Sequence, residues 1–227
     1  MKFGKIDYLN LLPFHIFLKR SSLTNAVKKG IEHKKDVPSK LNKALLNNRI
    51  DAAVISSIES RRSKYKKLNF GIVAKKDVKS VLVRKNSEPK LDVASASSNM
   101  LAKILNIKGE VIIGDRALKA YLQEGESKFY DLGKIWHSRM GLPFVFGRFC
   151  YTKNASAYNK LVKNFLKQNI KIPRYILEQY ATSRDISPND IKWYLKFITY
   201  KMGKKEQQGL KIFIKKARAM GFNPKQL

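Results

Sequence analysis

Through residue 151 the chain alternates short apolar runs of strand length with segments whose apolar residues return every three or four positions. Residues 2–6, 26–32, 51–55, 70–74, 79–84, 91–94, 110–113, 129–132 and 143–151 read as strands. Residues 10–18 read as a helix entered through a Leu-Pro turn. Pro38 opens another, with Leu41, Ala44 and Leu45 at i, i+3 and i+4. Ser97 and Ser98 are placed to cap a helix carrying Leu101, Ile104 and Leu105, and further helices follow Asp115 and run through Trp136. Alternation of this kind predicts an α/β fold with mainly parallel sheets and helical crossovers.

After Tyr151 the pattern turns all helical. Tyr158, Leu161, Val162, Phe165 and Leu166 mark one amphipathic helix. Ile191, Tyr194, Leu195 and Ile198 mark a second, and Leu210, Phe213, Ile214 and Ala217 a third. Strands 79–84 and 143–151 are long enough to cross between two lobes. The expected division puts residues 1–80 and 152–227 in one lobe and 81–151 in the other.

With 44% hydrophobic residues in 227, the chain has ample material for a core and is not disordered. Its 47 Lys and Arg against 17 Asp and Glu give a net charge of +30. The 36 lysines are spread along the whole length as singles and pairs, with no zinc-finger spacing, RNA-binding aromatic motif or recognition helix. The expected partner is therefore a small anion drawn into a cationic cleft, and not a nucleic acid. No apolar run reaches membrane-spanning length and no secretory leader opens the chain, so a cytoplasmic protein without membrane association is expected. The single cysteine, Cys150, sits in an apolar strand and reads as a buried small residue.

Open α/β sheets bind ligands beyond the carboxyl ends of their strands. Asn10, Ser56, Ser57, the trio Ser97, Ser98 and Asn99, and Asp115 all fall at such ends. Serines at a helix start offer hydroxyls and backbone N–H groups to a carboxylate or phosphate, although Ser, Asn and Asp serve as plain helix caps in the same places. His15, His33 and His137 share no metal-ligand spacing. No nucleophile elbow, phosphate loop or dinucleotide fingerprint is present, so nothing calls for a metal, nucleotide or flavin.

Six segments carry a more specific signal: GKIDYLNLLPF at 4–14, VPSKLNKALLNNRIDAAVISSIE at 37–59, KSVLVR at 79–84, SASSNMLAKIL at 95–105, IGDRAL at 113–118 and YDLGKIWHSRMGLPFVFGRF at 130–149. In this order they resemble the chorismate dehydratases of the futalosine route to menaquinone, over about two-thirds of the chain. The resemblance implies a two-lobed, periplasmic-binding-protein-like (type II) α/β fold with the ligand cleft between the lobes. It implies elimination of water from the dianion chorismate, without a cofactor because aromatisation drives the reaction. It assigns catalytic roles to Asn10 and Ser80, and carboxylate anchoring to Ser97 and Ser98. Ser56, Ser57, Asn99, Asp115, Pro143 and Phe144 complete the expected substrate contacts. Two departures from the family pattern stand out: the short SASSNM loop, and Arg148 where an apolar residue is expected. Three other readings stay open: the sister enzyme 1,4-dihydroxy-6-naphthoate synthase, a solute-binding protein without catalysis, and a nucleic-acid binder with steep salt dependence.

Overall fold

The fold is seen in a computed structural model that describes residues 1–221. Among these residues eight strands form two sheets. Strands β1 (Phe3–Gly4), β2 (Ala52–Ser56), β7 (Phe144–Tyr151), β3 (Lys66–Ala74) and β8 (Ile198–Lys201) lie side by side in that order. The smaller sheet has the order β5 (Val111–Ile113), β4 (Val81–Arg84), β6 (Phe129–Asp131).

The expectation of mainly parallel sheets is corrected. Only β1 and β2 pair in parallel, and every other strand pair is antiparallel. The helical crossovers do return strands in a common direction: β2 and β3 run alike, as do β5 and β6. In each sheet one reversed strand inserts between such a pair, β7 between β2 and β3, β4 between β5 and β6. Alternating elements set strand direction but not which strands are neighbours. The reversed strands follow the two passages between sheets, residues 75–80 outward and 141–143 back. Strand 143–151, assigned from sequence to the second lobe, therefore lies wholly at the centre of the larger sheet, where its apolar residues are covered on both faces.

Among the described residues ten α-helices dress these sheets: α1 (Leu12–Arg20), α2 (Asn25–His33), α3 (Pro38–Leu46), α4 (Ala96–Ile104), α5 (Gly114–Glu124), α6 (Leu132–Met140), α7 (Ala155–Phe165), α8 (Arg174–Arg184), α9 (Pro188–Leu195) and α10 (Lys204–Ala219). Three local readings change. Residues 26–32 are helix and not strand, because Thr24 caps them by accepting from the Val27 N–H, and Val27 and Ile31 share the inward face. Residues 91–94 form no strand; Leu91 and Val93 are 69% and 95% exposed and find no sheet partner. The tail is not all helical, since Ile198 opens β8, which closes the edge of β3.

One apolar core runs through both sheets. Its densest part is aromatic: Phe14 packs on Phe3, Phe70 and Phe165 at centroid distances of 5.9, 4.8 and 5.0 Å. A small second cluster of Leu82, Ile112, Ala117 and Phe129 sits on the other face of the smaller sheet. One carboxylate ties the outward passage to the start of α6. Asp131, at the end of β6, accepts from the backbone N–H groups of Val78, Lys79 and Lys134, at 3.0, 2.9 and 3.0 Å. Lys79 adopts a left-handed backbone, φ 58°, at the bend into β4.

Candidate active site

Asn10 lies in a 3-10 turn, Leu9–Leu11, between β1 and α1. Leu9, Leu11 and Leu12 are sunk in the core and Pro13 starts α1, so the leucines anchor the turn while Asn10 faces the gap between sheets. The Tyr200 hydroxyl donates to the Asn10 carbonyl at 2.7 Å and fixes the turn from β8. Ser80 stands at the end of the outward passage, 1% exposed. Its Oγ lies 2.8 Å from the hydroxyl of Tyr194 on α9, which also meets the Asn10 side chain. Burial pushes the Tyr194 phenol well above the usual tyrosine range, so it stays protonated. Asn10, 9% exposed, keeps its side-chain oxygen without a hydrogen-bond partner. Three elements thus converge on one buried polar point with an unused acceptor.

The serines form a second group. Ser57, just past β2, meets Ser97 in the first turn of α4, Oγ to Oγ 3.1 Å, and the Ile58 N–H donates to Ser97 Oγ at 3.1 Å. The N-cap of α4 is Ser95, whose Oγ accepts from the Ser98 N–H and sits 2.7 Å from Ser98 Oγ. Ser97 and Ser98 therefore occupy the first turn and not the cap. Ser56 is clasped by Asn42, which accepts from the Ser56 N–H at 3.1 Å and donates to its Oγ at 3.2 Å.

Asp115 is tied down. Its Oδ1 accepts from the Leu9 N–H at 2.9 Å and its Oδ2 from Arg184 Nε at 3.1 Å. Burial raises its pKa, opposed by the Leu9 N–H and the Arg184 guanidinium. Because Asp115 begins α5 while Leu9 and Arg184 belong to the larger unit, the contact latches the two units beside Asn10. Lys119 and Asp185 add a second ion pair there, at 2.9 Å. Gly114 makes the close approach feasible: its φ is 67°, and a Cβ would meet the Tyr8 ring at 3.0 Å.

Three expected contacts lie elsewhere. Asn99 spends its amide on both backbone groups of Asp92, at 3.0 and 2.7 Å, and closes the 91–94 loop. Phe144 is buried among Trp136, Phe146 and Phe213. Pro143 is buried against α10, where its carbonyl leaves room only for Gly209. A cavity of about 810 Å³ between α3 and α4 includes Asn99 but none of Asn10, Ser57, Ser80, Ser97 or Ser98. Those five are nearly sealed from solvent. Tyr194 is the residue of this candidate site that sequence reasoning missed. Its only signal was a core position on an amphipathic helix.

His15 is buried on α1 with neither ring nitrogen bonded, and burial lowers its pKa to about 3, so it stays neutral. Among the described residues no three His, Cys, Asp or Glu side chains group as metal ligands, and no helix is long and apolar enough to cross a membrane.

The family model described as "Menaquinone biosynthesis" matches residues 1–110 and 97–219. The chain belongs to this menaquinone-biosynthesis family. It is 53% identical over 221 residues to a chorismate dehydratase of Campylobacter jejuni, covering 97% of this chain and 99% of that one. It is 26% identical to a chorismate dehydratase of Thermus thermophilus, covering 96% and 94%. A crystal structure of an Archaeoglobus fulgidus protein superposes with a TM-score of 0.74 at 17% identity, covering 96% and 97%. A Candida albicans protein described as having the generic periplasmic binding protein structural fold gives 0.55 at 12% identity, covering 98% and 91%. This member of the family thus has the two-lobed binding-protein fold, with Asn10, Ser80 and Tyr194 at the meeting of its lobes.

Proposed function

We propose that the chain is a chorismate dehydratase, a hydro-lyase that acts in the cytoplasm on chorismate and releases water and 3-[(1-carboxyvinyl)oxy]benzoate. The observation that carries the reading is the 53% identity to the Campylobacter jejuni chorismate dehydratase along nearly the full length of both chains. The unpartnered Asn10 oxygen beside Ser80 supports it, since a buried acceptor without a donor is costly and suits a substrate hydroxyl. The strongly positive chain favours a dianion.

The reaction removes the proton from the ring carbon bearing the ether and expels the neighbouring hydroxyl. The electron pair of the broken C–H bond enters the ring, which becomes aromatic, and the proton leaves with the hydroxyl as water. A base must reach within ~3 Å of that proton. Asp115 is the protein's nearest rival for the task, but both of its oxygens are engaged. We assign the task to the substrate's own enolpyruvyl carboxylate. Asn10 would then accept from the leaving hydroxyl, Ser80 would hold the side chain, and Tyr194 would orient Ser80. The first turn of α4, with Ser97 and Ser98, would receive the ring carboxylate. Closure of the lobes excludes water and strengthens each of these contacts.

Incubation of the purified chain with chorismate, without added metal or nucleotide, tests this by mass spectrometry. A product lighter by one water with a substituted-benzoate spectrum is expected. Thermal stabilisation by chorismate without product would instead indicate a binding protein. Turnover only of a cyclic futalosine derivative would indicate the sister synthase.

A further inference from the structure

Away from the lobe junction, a cleft of about 600 Å³ opens between α10 and the β3–β7 side of the larger sheet. Six cations line it: Arg61, Lys67, Arg148, Lys211, Lys215 and Arg218. Among the described residues, no acidic and no aromatic residue does. Lys211, Lys215 and Arg218 stand at i, i+4 and i+7, one stripe of α10, over a floor of Leu210 and Ile214. Lys67 is paired with Cys150 in the β3–β7 ladder, two residues from Arg148, so both cations rise from one face of the sheet. Among the described residues, Lys67, Arg148, Lys211, Lys215 and Arg218 form no ion pair with a carboxylate. Arg148 is half-buried, and its Nε donates only to the Leu68 carbonyl at 3.3 Å. The buried thiol beneath it offers no countercharge, since burial pushes Cys150 up to about 12. Glu59, outside the lining, pairs with Arg62 at 2.8 Å and also acts electrostatically on Arg61.

Like charges gathered in a walled cleft repel one another and focus a positive field outward. A ligand that relieves this must bring several negative charges in a small volume, which a single carboxylate does not. Guanidinium and ammonium groups together suit phosphate oxygens. Among the described residues the lining offers no aromatic platform for a base or for single-stranded nucleic acid. We propose that this cleft is a second anion site, binding a small polyphosphate-bearing anion through its phosphates. It is separate from Asn10, Ser80 and Tyr194, and does not rest on the chorismate reading. Ser60, on its rim, donates to the Ser57 carbonyl at 2.7 Å and so links it to the serine group.

Calorimetric titration of the full chain with inorganic tripolyphosphate at fixed ionic strength tests the site. One saturable site is expected, weakened at least about tenfold in K211E/K215E. The exposed pair K163E/K167E on and just after α7 carries the same charge change and should bind as the parent does. If the double reversal fails to fold by circular dichroism, Lys215→Gln alone should still weaken binding severalfold. Equal losses in the two double variants, or heats without a stoichiometry of one, would overturn the proposal. So would duplex DNA bound more tightly than tripolyphosphate and lost in K211E/K215E.

Discussion

Two polar seams join the lobes, and they use their hydrogen-bonding capacity differently. In the serine seam the Ser57, Ser95, Ser97 and Ser98 hydroxyls all have partners, and Asn42 holds Ser56 from both sides. In the Asn10 seam Ser80 and Tyr194 are paired, while the Asn10 oxygen is buried and idle. An idle buried acceptor costs about 1–3 kcal/mol. The spent seam stabilises the closed arrangement and would give up bonds if α4 received a carboxylate, whereas the Asn10 oxygen has no bond to give up. On the proposed function, this contrast is the reason for placing the chemistry at Asn10.

The severest way to break this contrast is Asn10→Ala, for which turnover of chorismate should fall about 10²–10³-fold with KM changed far less. Ser57→Ala assayed alongside must lose much less in kcat, or the distinction between seams collapses. His15 poses the second test, being an unspent buried group that the proposed chemistry does not use. Its folded pKa of about 3 lies below the unfolded value near 6.5. Between these values the unfolded chain binds more protons, so the contribution is whole above 6.5 and is lost as pH falls, by up to about 1.4 kcal/mol per unit. Urea unfolding at pH 7 and pH 5 should show this loss, and His15→Leu should flatten it while leaving turnover intact.

Within the spent seam, Ser97→Ala leaves the Ile58 N–H and Ser57 Oγ without their partner and should lower unfolding free energy by about 1–3 kcal/mol. Tyr194→Phe sharpens the other side: if the phenol orients Ser80, kcat should drop about tenfold, equivalent to about 1.4 kcal/mol, with KM nearly constant. A purely structural phenol would shift the melting temperature alone. Asn99→Ala marks the floor of the series, since it frees only the 91–94 loop. We expect at most about 1 kcal/mol in stability and no change in steady-state kinetics.

Most strands were legible because buried runs such as Val54–Ile55 and Val81–Val83 leave no amphipathic alternative. The errors share a cause. Residues 91–94 look like a strand locally, yet Leu91 and Val93 meet no ladder. Ile198 looks like the next turn of α9, yet β3 offers an open edge about 125 residues earlier in the chain, and pairing with it wins. In the candidate site, Asn10 was legible at its strand end and Ser80 through the family resemblance, and the structure places both beside Tyr194. Tyr194 was not legible, because its partner Ser80 lies 114 positions away. Asp115 was readable as important but not in its part, since a carboxylate's oxygens reveal their partners only once α5, α8 and the Leu9 turn have been brought together.

The central place of β7 in the larger sheet also dictates a schedule. During synthesis β1, β2 and β3 are complete by residue 74, but β2 and β3 are not neighbours; each waits for a strand that begins at residue 144. The smaller sheet, by contrast, draws on residues 81–131 alone and its ladders can close as soon as β6 is made. The inserted unit is thus positioned to form before the unit that hosts it, while two apolar strands of the host stand open. For this stretch of translation the nascent chain is exposed to misassociation; β7 joins β2 to β3, and β8 later closes the remaining edge of β3.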